Sequence, residues 1–348
     1  MRKLILFLLF TAIVAILAFP GMSLTSAKDG LVLWATSLVP TLFPFMVITS
    51  LIVQYSGARG KSVFGQCVFA GIVSGYPVGA ASAYLLKQQG ADEEQVSTLA
   101  AFASFCSPGF MLSTIGTGLF GDSRMGLAVA IAHYASWLAM WITYKLAGGL
   151  RFGKIAAQQE ERQVVFSHAL KSSVENGINS ILCVGGYVVL FSILISLVQK
   201  FSMSKIPAFV NCLFGTLLEL DNGAILTCQS GLPVAVQAAF LSFGVTWGGG
   251  CVVMQITGIV GNAKKIALFQ LVRGIVAAFF GWTAACIWFQ QPFGTGGILL
   301  LLSSAALLCL VFFCQRKKLK SNAWKPSFAS EKPLRKWYQL FPLKIKQQ

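Results

Sequence analysis

The chain has 348 residues, of which 56% are apolar and only 11% charged. A water-facing domain carries about 25% charged residues, so this composition excludes an ordinary soluble surface and points to a bilayer as the solvent. The formal charge of +16 is concentrated at the end, where ten Lys and Arg between Arg316 and Gln348 stand against the single acid Glu331.

A helix needs about 20 mostly apolar residues to cross the hydrocarbon core. In chain order, 4–20, 31–54, 125–147, 178–198, 266–290 and 297–315 meet that length. Segments 95–120 and 236–262 are long enough but interrupted. Segments 64–89 and 206–234 are broken near the middle by polar, Gly and Pro residues, which predicts two re-entrant hairpins. The first segment follows Met1-Arg2-Lys3 and ends near Thr25-Ser26-Ala27. It reads as a membrane helix or as a signal peptide with a T-x-A cleavage site, and both readings start it in the cytoplasm.

Basic residues gather on the cytoplasmic side of membrane helices. Arg2 and Lys3 put the N-terminus inside, and Arg59, Lys61, Lys87, Arg151, Lys154, Arg162, Lys264, Lys265 and the tail follow if both hairpins are re-entrant. The loops with Arg124, with Lys200 and Lys205, and over 291–294 then lie outside. Making both hairpins full crossings would move the Arg151 cluster outside.

The two halves match at a period of about 140 residues. Thr41–Ser50 aligns with Cys183–Ser192, Gly71–Ala80 with Gly215–Ala224, and Ala101–Phe105 with Ala239–Phe243; Gly121 and Gly261 close the two copies. Each copy reads helix, re-entrant hairpin, broken helix, helix. Three crossings per copy is an odd number, so the second copy is inverted. The predicted fold is therefore an all-α polytopic membrane protein with two inverted repeats and one flanking helix at each end. Its units are an N-terminal helix and loop (1–30), a first repeat (31–150), a connector (151–177), a second repeat (178–290), a last helix (291–315) and a basic cytoplasmic tail (316–348).

Inverted repeats with paired interrupted segments are a sequence pointer to a secondary transporter with a midplane site. Broken backbone in a bilayer survives where protein or a water-filled cavity supplies partners, so the breaks are the candidate site. The first tip is Ser74-Gly75-Tyr76-Pro77-Val78-Gly79; the alternative is a solvent loop between two amphipathic helices. The second tip is Glu219-Leu-Asp-Asn-Gly223, in a stretch from Ile206 to Val260 without other charges. Acids at depth suggest cation or proton coupling or solute binding; the alternative is a solvated tip. The broken helices add Ser107-Pro108-Gly109 and Thr246-Trp247-Gly248-Gly249-Gly250. Ser74, Gly75, Tyr76, Pro77, Gly79, Ser107, Pro108, Glu219, Asn222 and Trp247 are the candidate solute contacts, with Glu219 and Asp221 as the candidate ion or proton site. Arg273, about two turns inside its helix, either snorkels to the cytoplasmic interface or neutralises a buried acid or anion.

Nine scattered cysteines without a CxxC read as small hydrophobes. His133 and His168 are too far from any cysteine or acid cluster to suggest a metal site. No nucleophile–base set, P-loop or H-E-x-x-H is present, so neither an enzyme nor a cofactor is expected. The tail lacks a nucleic-acid-binding motif and reads instead as attracted to anionic lipid.

Leu38-Val-Pro-Thr-Leu-Phe-Pro-Phe45, Ser74-Gly-Tyr-Pro-Val-Gly-Ala80, Phe105-Cys-Ser-Pro-Gly109 and Leu218-Glu-Leu-Asp-Asn-Gly223 resemble the sporulation integral membrane proteins of the YlbJ type over roughly residues 30–290. Those proteins carry a nucleoside recognition or Gate domain, similar in plan to concentrative nucleoside transporters. The resemblance implies a multi-pass protein of the bacterial cell membrane, or of a forespore membrane, that moves a small polar or anionic solute, with dipicolinate as the family-level candidate. A nucleoside permease and a non-transporting sporulation or envelope scaffold are the alternatives. The sequence departs from the pattern at Ala81, where many members carry a basic residue, which leaves solute preference open. Homo-oligomerisation also stays open.

Overall fold

The computed structural model describes residues 2–56, 63–76, 78–85, 92–149, 165–202 and 206–323. Arg59, Lys61, Pro77, Lys87, the Arg151–Arg162 cluster, Lys205 and the tail beyond Ala323 lie outside the described residues. Among the described residues every regular element is helical. Five helical stretches are long and apolar enough to span a bilayer: Ser123–Leu146, Phe166–Lys200, Val234–Val260, Lys264–Trp288 and Gly294–Lys318. The pair Leu9–Ala18 and Pro20–Leu38, bent by 104°, is either a broken span or a re-entrant turn.

Helix α1 (Arg2–Ala18) is apolar all round and exposes Leu6, Phe7, Phe10 and Leu17, as a lipid-facing helix does. After the bend, Pro20 opens α2 (Pro20–Leu33), which runs through a π-helical turn (Trp34–Leu38) into α3 (Val39–Ser56). The loop expected over 21–30 is thus helical, and the T-x-A stretch lies inside α2. Its Gly and Ser residues are a packing surface: Ser23, Ser26 and Gly30 are buried, and Gly30 lies against Ser192 and Val189. Small residues let helix backbones approach closely in membranes. The partner is α8 (Phe166–Ser202), which starts twelve residues before the expected 178. Trp34 Nε1 donates to Ile181 O (2.8 Å) and Gln54 Nε2 to Ser173 Oγ (2.8 Å), so the two long helices run antiparallel.

Helices α4 (Val63–Ser74) and α5 (Val78–Leu85) form a hairpin, as do α9 (Ala208–Leu218) and α10 (Leu220–Cys228). Gly71 and Gly79 pack against each other and against the Ala103 carbonyl. Gly215 lies against Gly223, which itself abuts Thr216. Each hairpin is thus closed at a glycine pair, and these are the pairs the sequence halves align.

The broken helices differ more than expected. Helix α6 (Glu93–Phe102) unwinds over Ala103–Ser107, restarts at Pro108 and continues as π-helix Phe110–Phe120. Helix α11 (Val234–Trp247) is interrupted only at Gly248 before α12 (Gly249–Val260). Both lead to a left-handed glycine, Gly121 (φ +78°) and Gly261 (φ +88°), followed by a capping Asp122 or Asn262. A side chain at either glycine would be strained. From there start α7 (Ser123–Leu146) and α13 (Ala263–Trp288). They run antiparallel: Arg124 sits 4.9 Å from the Phe289 ring centre, and the Tyr144 and Phe269 rings are 5.8 Å apart.

Helix α14 (Gly294–Ala323) completes the bundle. Its end carries Lys318, which pairs with Glu94, and Lys265 lies 3.7 Å from the same carboxylate. At the opposite end are the Arg124–Phe289 contact and Lys200 over the Phe19 ring at 3.9 Å. These two groups come from the two sets of loops that the positive-inside reading separates.

Candidate functional site

At the first tip, the Ser74 hydroxyl turns away toward α3, bonding Thr49 Oγ1 (2.6 Å) and Phe45 O (3.1 Å). Gly75 packs on Ser107. The Tyr76 phenol crosses to the other half of the chain and donates to Val245 O (2.9 Å) and Thr246 O (3.2 Å), the last turn of α11. The first hairpin tip is thereby tied to the second helix break.

At the second tip, Glu219 caps α10. Its carboxylate accepts Asp221 N–H (2.9 Å), Asn222 N–H (2.8 Å) and Asn222 Nδ2–H (2.8 Å). Three N–H donors and the positive end of the helix dipole meet the Glu219 carboxyl group. Asp221 lies beside it and is 6% exposed.

The tips and breaks meet at one small cavity of about 60 Å³. Tyr76, Ser107, Glu219, Asp221 and Gln255 give its polar side. Leu38, Leu42, Val184 and Val188 of the two antiparallel long helices give its apolar side, and Cys106, Phe110, Leu220, Cys251 and Val252 complete it. Of the residues singled out in the sequence, the cavity gathers Tyr76, Ser107, Glu219 and Asp221. Ser74, Gly75, Gly79, Pro108, Asn222 and Trp247 are not in its lining: Gly75 and Gly79 pack on the unwound segment, Asn222 serves Glu219, and Trp247 Nε1 donates to Leu217 O at 3.0 Å. Pro77 lies outside the described residues. Among those residues no group of three or more His, Cys, Asp or Glu could hold a metal ion.

The snorkelling alternative for Arg273 is overturned. Its side chain is 0% exposed, and among the described residues it has no acidic partner within ion-pair distance. Instead Nη1 donates to Ser104 O at 2.6 Å, and the guanidinium lies 4.9 Å from the Phe105 ring centre. Ser104 follows the C-terminus of α6, where a cation offsets the dipole and free carbonyls need donors. Nη2 meets His133 Nε2 at 2.9 Å. His133, which the sequence reading set aside, is also fully buried. Its signal was positional: it stands 140 residues before Arg273, close to the spacing at which the two halves of the sequence align.

No family model matches the chain, and no solved structure matches it. The chain is a multi-pass helical membrane protein similar to the sporulation integral membrane protein YlbJ of Bacillus subtilis (strain 168), with which it is 25% identical over 79% of this chain and 80% of that protein.

Proposed function

We propose that this protein transports a small polar or anionic solute by alternating access, as two inverted repeats with re-entrant α4–α5 and α9–α10 hairpins. The observation that carries this reading is the cavity where one hairpin tip and one helix break from each half converge around the Glu219–Asp221 pair. Irregular backbone and acids at depth are costly in a bilayer and are kept where they line a path for solute or ion. At about 60 Å³ the cavity takes a few waters. Sites for organic ligands start at roughly 300 Å³, so the conformation corresponds to a closed state that opens to admit solute.

The likeness to a sporulation protein supports a role in spore formation, with dipicolinate as the first solute to try. On this reading the protein sits in the cell or forespore membrane with both termini cytoplasmic, and the basic tail lies on anionic lipid. Uptake of labelled dipicolinate and uridine into proteoliposomes tests the reading. Dipicolinate uptake that uridine does not compete is the expected result. Competition by nucleosides would make it a nucleoside permease. No uptake of either, together with loss of cellular function on deleting only the tail, would make it a scaffold.

A further inference from the structure

Five unwound residues, Ala103–Ser107, leave backbone groups that a bilayer cannot hydrate. Ala103 N–H and Ser107 O are met by the adjoining turns, but other partners of the unwound segment and of the helix end before it come from elsewhere in the fold. Trp137 Nε1 donates to Phe102 O (2.9 Å) and Arg273 Nη1 to Ser104 O (2.6 Å), while Cys106 N–H donates to His133 Nε2 (3.3 Å). Nε2 also accepts from Arg273 Nη2 at 2.9 Å. A ring nitrogen that accepts twice carries no proton, so the proton of His133 is on Nδ1. Nδ1 then donates to Thr246 Oγ1 at 2.9 Å, two residues before the Gly248 break. A continuous hydrogen-bond chain thus links the first helix break to the second: Arg273 donates to Ser104 and to His133, and His133 donates on to Thr246. Ser104, His133, Thr246 and Arg273 are each at most 2% exposed.

We propose that Arg273 and His133 are positioning residues that couple the two helix breaks, so that the cavity walls carried by Cys106 and Cys251 open together. Shifting one break alone would strand a buried cation or donor, which costs more than the hydrogen bond itself returns. Moving both breaks with the pair preserves every link. The proposal builds on the transport reading for its purpose, but the coupling is a property of the fold and is measured without solute.

Two single-thiol proteins, one keeping only Cys106 and one only Cys251, report the two walls. Their reaction rates with a small methanethiosulfonate are followed against temperature in detergent. In the parent background both thiols should show the same temperature dependence, because one opening exposes both. Thr246→Val removes the last acceptor at nearly constant shape and should make the two rates diverge by roughly five- to tenfold, the factor a lost hydrogen bond gives. His133→Leu should do the same. His133→Gln, which keeps an acceptor and a donor, should restore the common dependence. A purely structural role would speed both thiols alike; that result, or different dependences in the parent, overturns the proposal. If His133→Leu does not fold, Thr246→Val decides alone. Failure of the parent to take up any solute would remove the transport reading and leave this outcome intact.

Discussion

Arg273 Nη2 and His133 Nε2 lie 2.9 Å apart, although the two residues are separated by 140 positions. They occupy corresponding places on α13 and α7, which run antiparallel. Two arginines there would repel each other in a dry interior. A cation facing a neutral acceptor resolves that, so the halves diverge in chemistry where they touch.

Hairpin closure at the first glycine pair should be sensitive to one methyl group. Gly79→Ala would drive a Cβ into the Ala103 carbonyl and the Gly71 backbone. We expect a loss of about 1–3 kcal/mol, read as a lower thermal midpoint in detergent. Gly258→Ala, within α12 and with open space around it, should instead gain about 0.5–1 kcal/mol from helix propensity. A parental midpoint for Gly79→Ala would show that the hairpin tolerates separation from the unwound segment.

Much of this was legible in the sequence. Apolar length located four of the five spanning stretches, at 125–147, 178–198, 266–290 and 297–315, and the Gly71/Gly215 and Gly79/Gly223 alignments located the hairpin contacts. Composition misled where small residues serve packing: the Ser and Gly of 21–30 resemble a loop but line a helix interface. The break before Pro108 was legible, since proline cannot donate to Ser104 O, but the five-residue length of the unwinding after α6 was not. It depends on donors that Trp137 and Arg273, and an acceptor that His133, bring from distant helices. Arg273 itself was visible, but its depth was not, since the position of a helix relative to its neighbours is a tertiary fact.

Topology can be tested with single cysteines on a background without the native ones. Cysteine at Glu93 or Asn262 should label with a membrane-impermeant maleimide only from the cytoplasm, and cysteine at Gln291 only from outside. Labelling of both Glu93 and Gln291 positions from one side would remove the inverted arrangement, because it would change the number of crossings between them.

The charged end at Glu94 should respond to acid. Its carboxyl is held below the ordinary value of 4.5, first by the hydrogen bond from Lys318 and further by the Lys265 charge, while partial burial opposes the shift. A lowered value in the folded state means that the stabilisation is complete above 4.5 and disappears as pH falls through the lowered value. The side chain is 52% exposed, so screening limits the pair to about 0.2–1 kcal/mol. Glu94→Gln should lower the thermal midpoint slightly at pH 7 in low salt. The difference from the parent should shrink toward pH 3 and in 1 M salt. A constant difference across pH would assign the effect to packing rather than to charge.

Glu219 and Asp221 should separate stability from coupling. The cap of α10 is Glu219, which accepts three N–H bonds. Glu219→Gln keeps the shape and loses the charge and one acceptor, so it should cost about 1.5–3 kcal/mol, the range for hydrogen bonds to a charged group. Asp221 bonds no backbone amide with its side chain among the described hydrogen bonds and faces the cavity. Asp221→Asn should therefore leave the thermal midpoint nearly unchanged. If the pair holds the coupling proton or cation, Asp221→Asn should flatten the dependence of uptake on pH or on that cation while the solute is still bound. Labelled dipicolinate, with binding and uptake measured separately between pH 5.5 and 8, distinguishes the two effects. A parental pH and ion dependence in Asp221→Asn, alongside a destabilised Glu219→Gln, would leave the pair as a structural cap. The coupling group would then have to be sought among Tyr76, Ser107 and Gln255, the other polar residues of the wall.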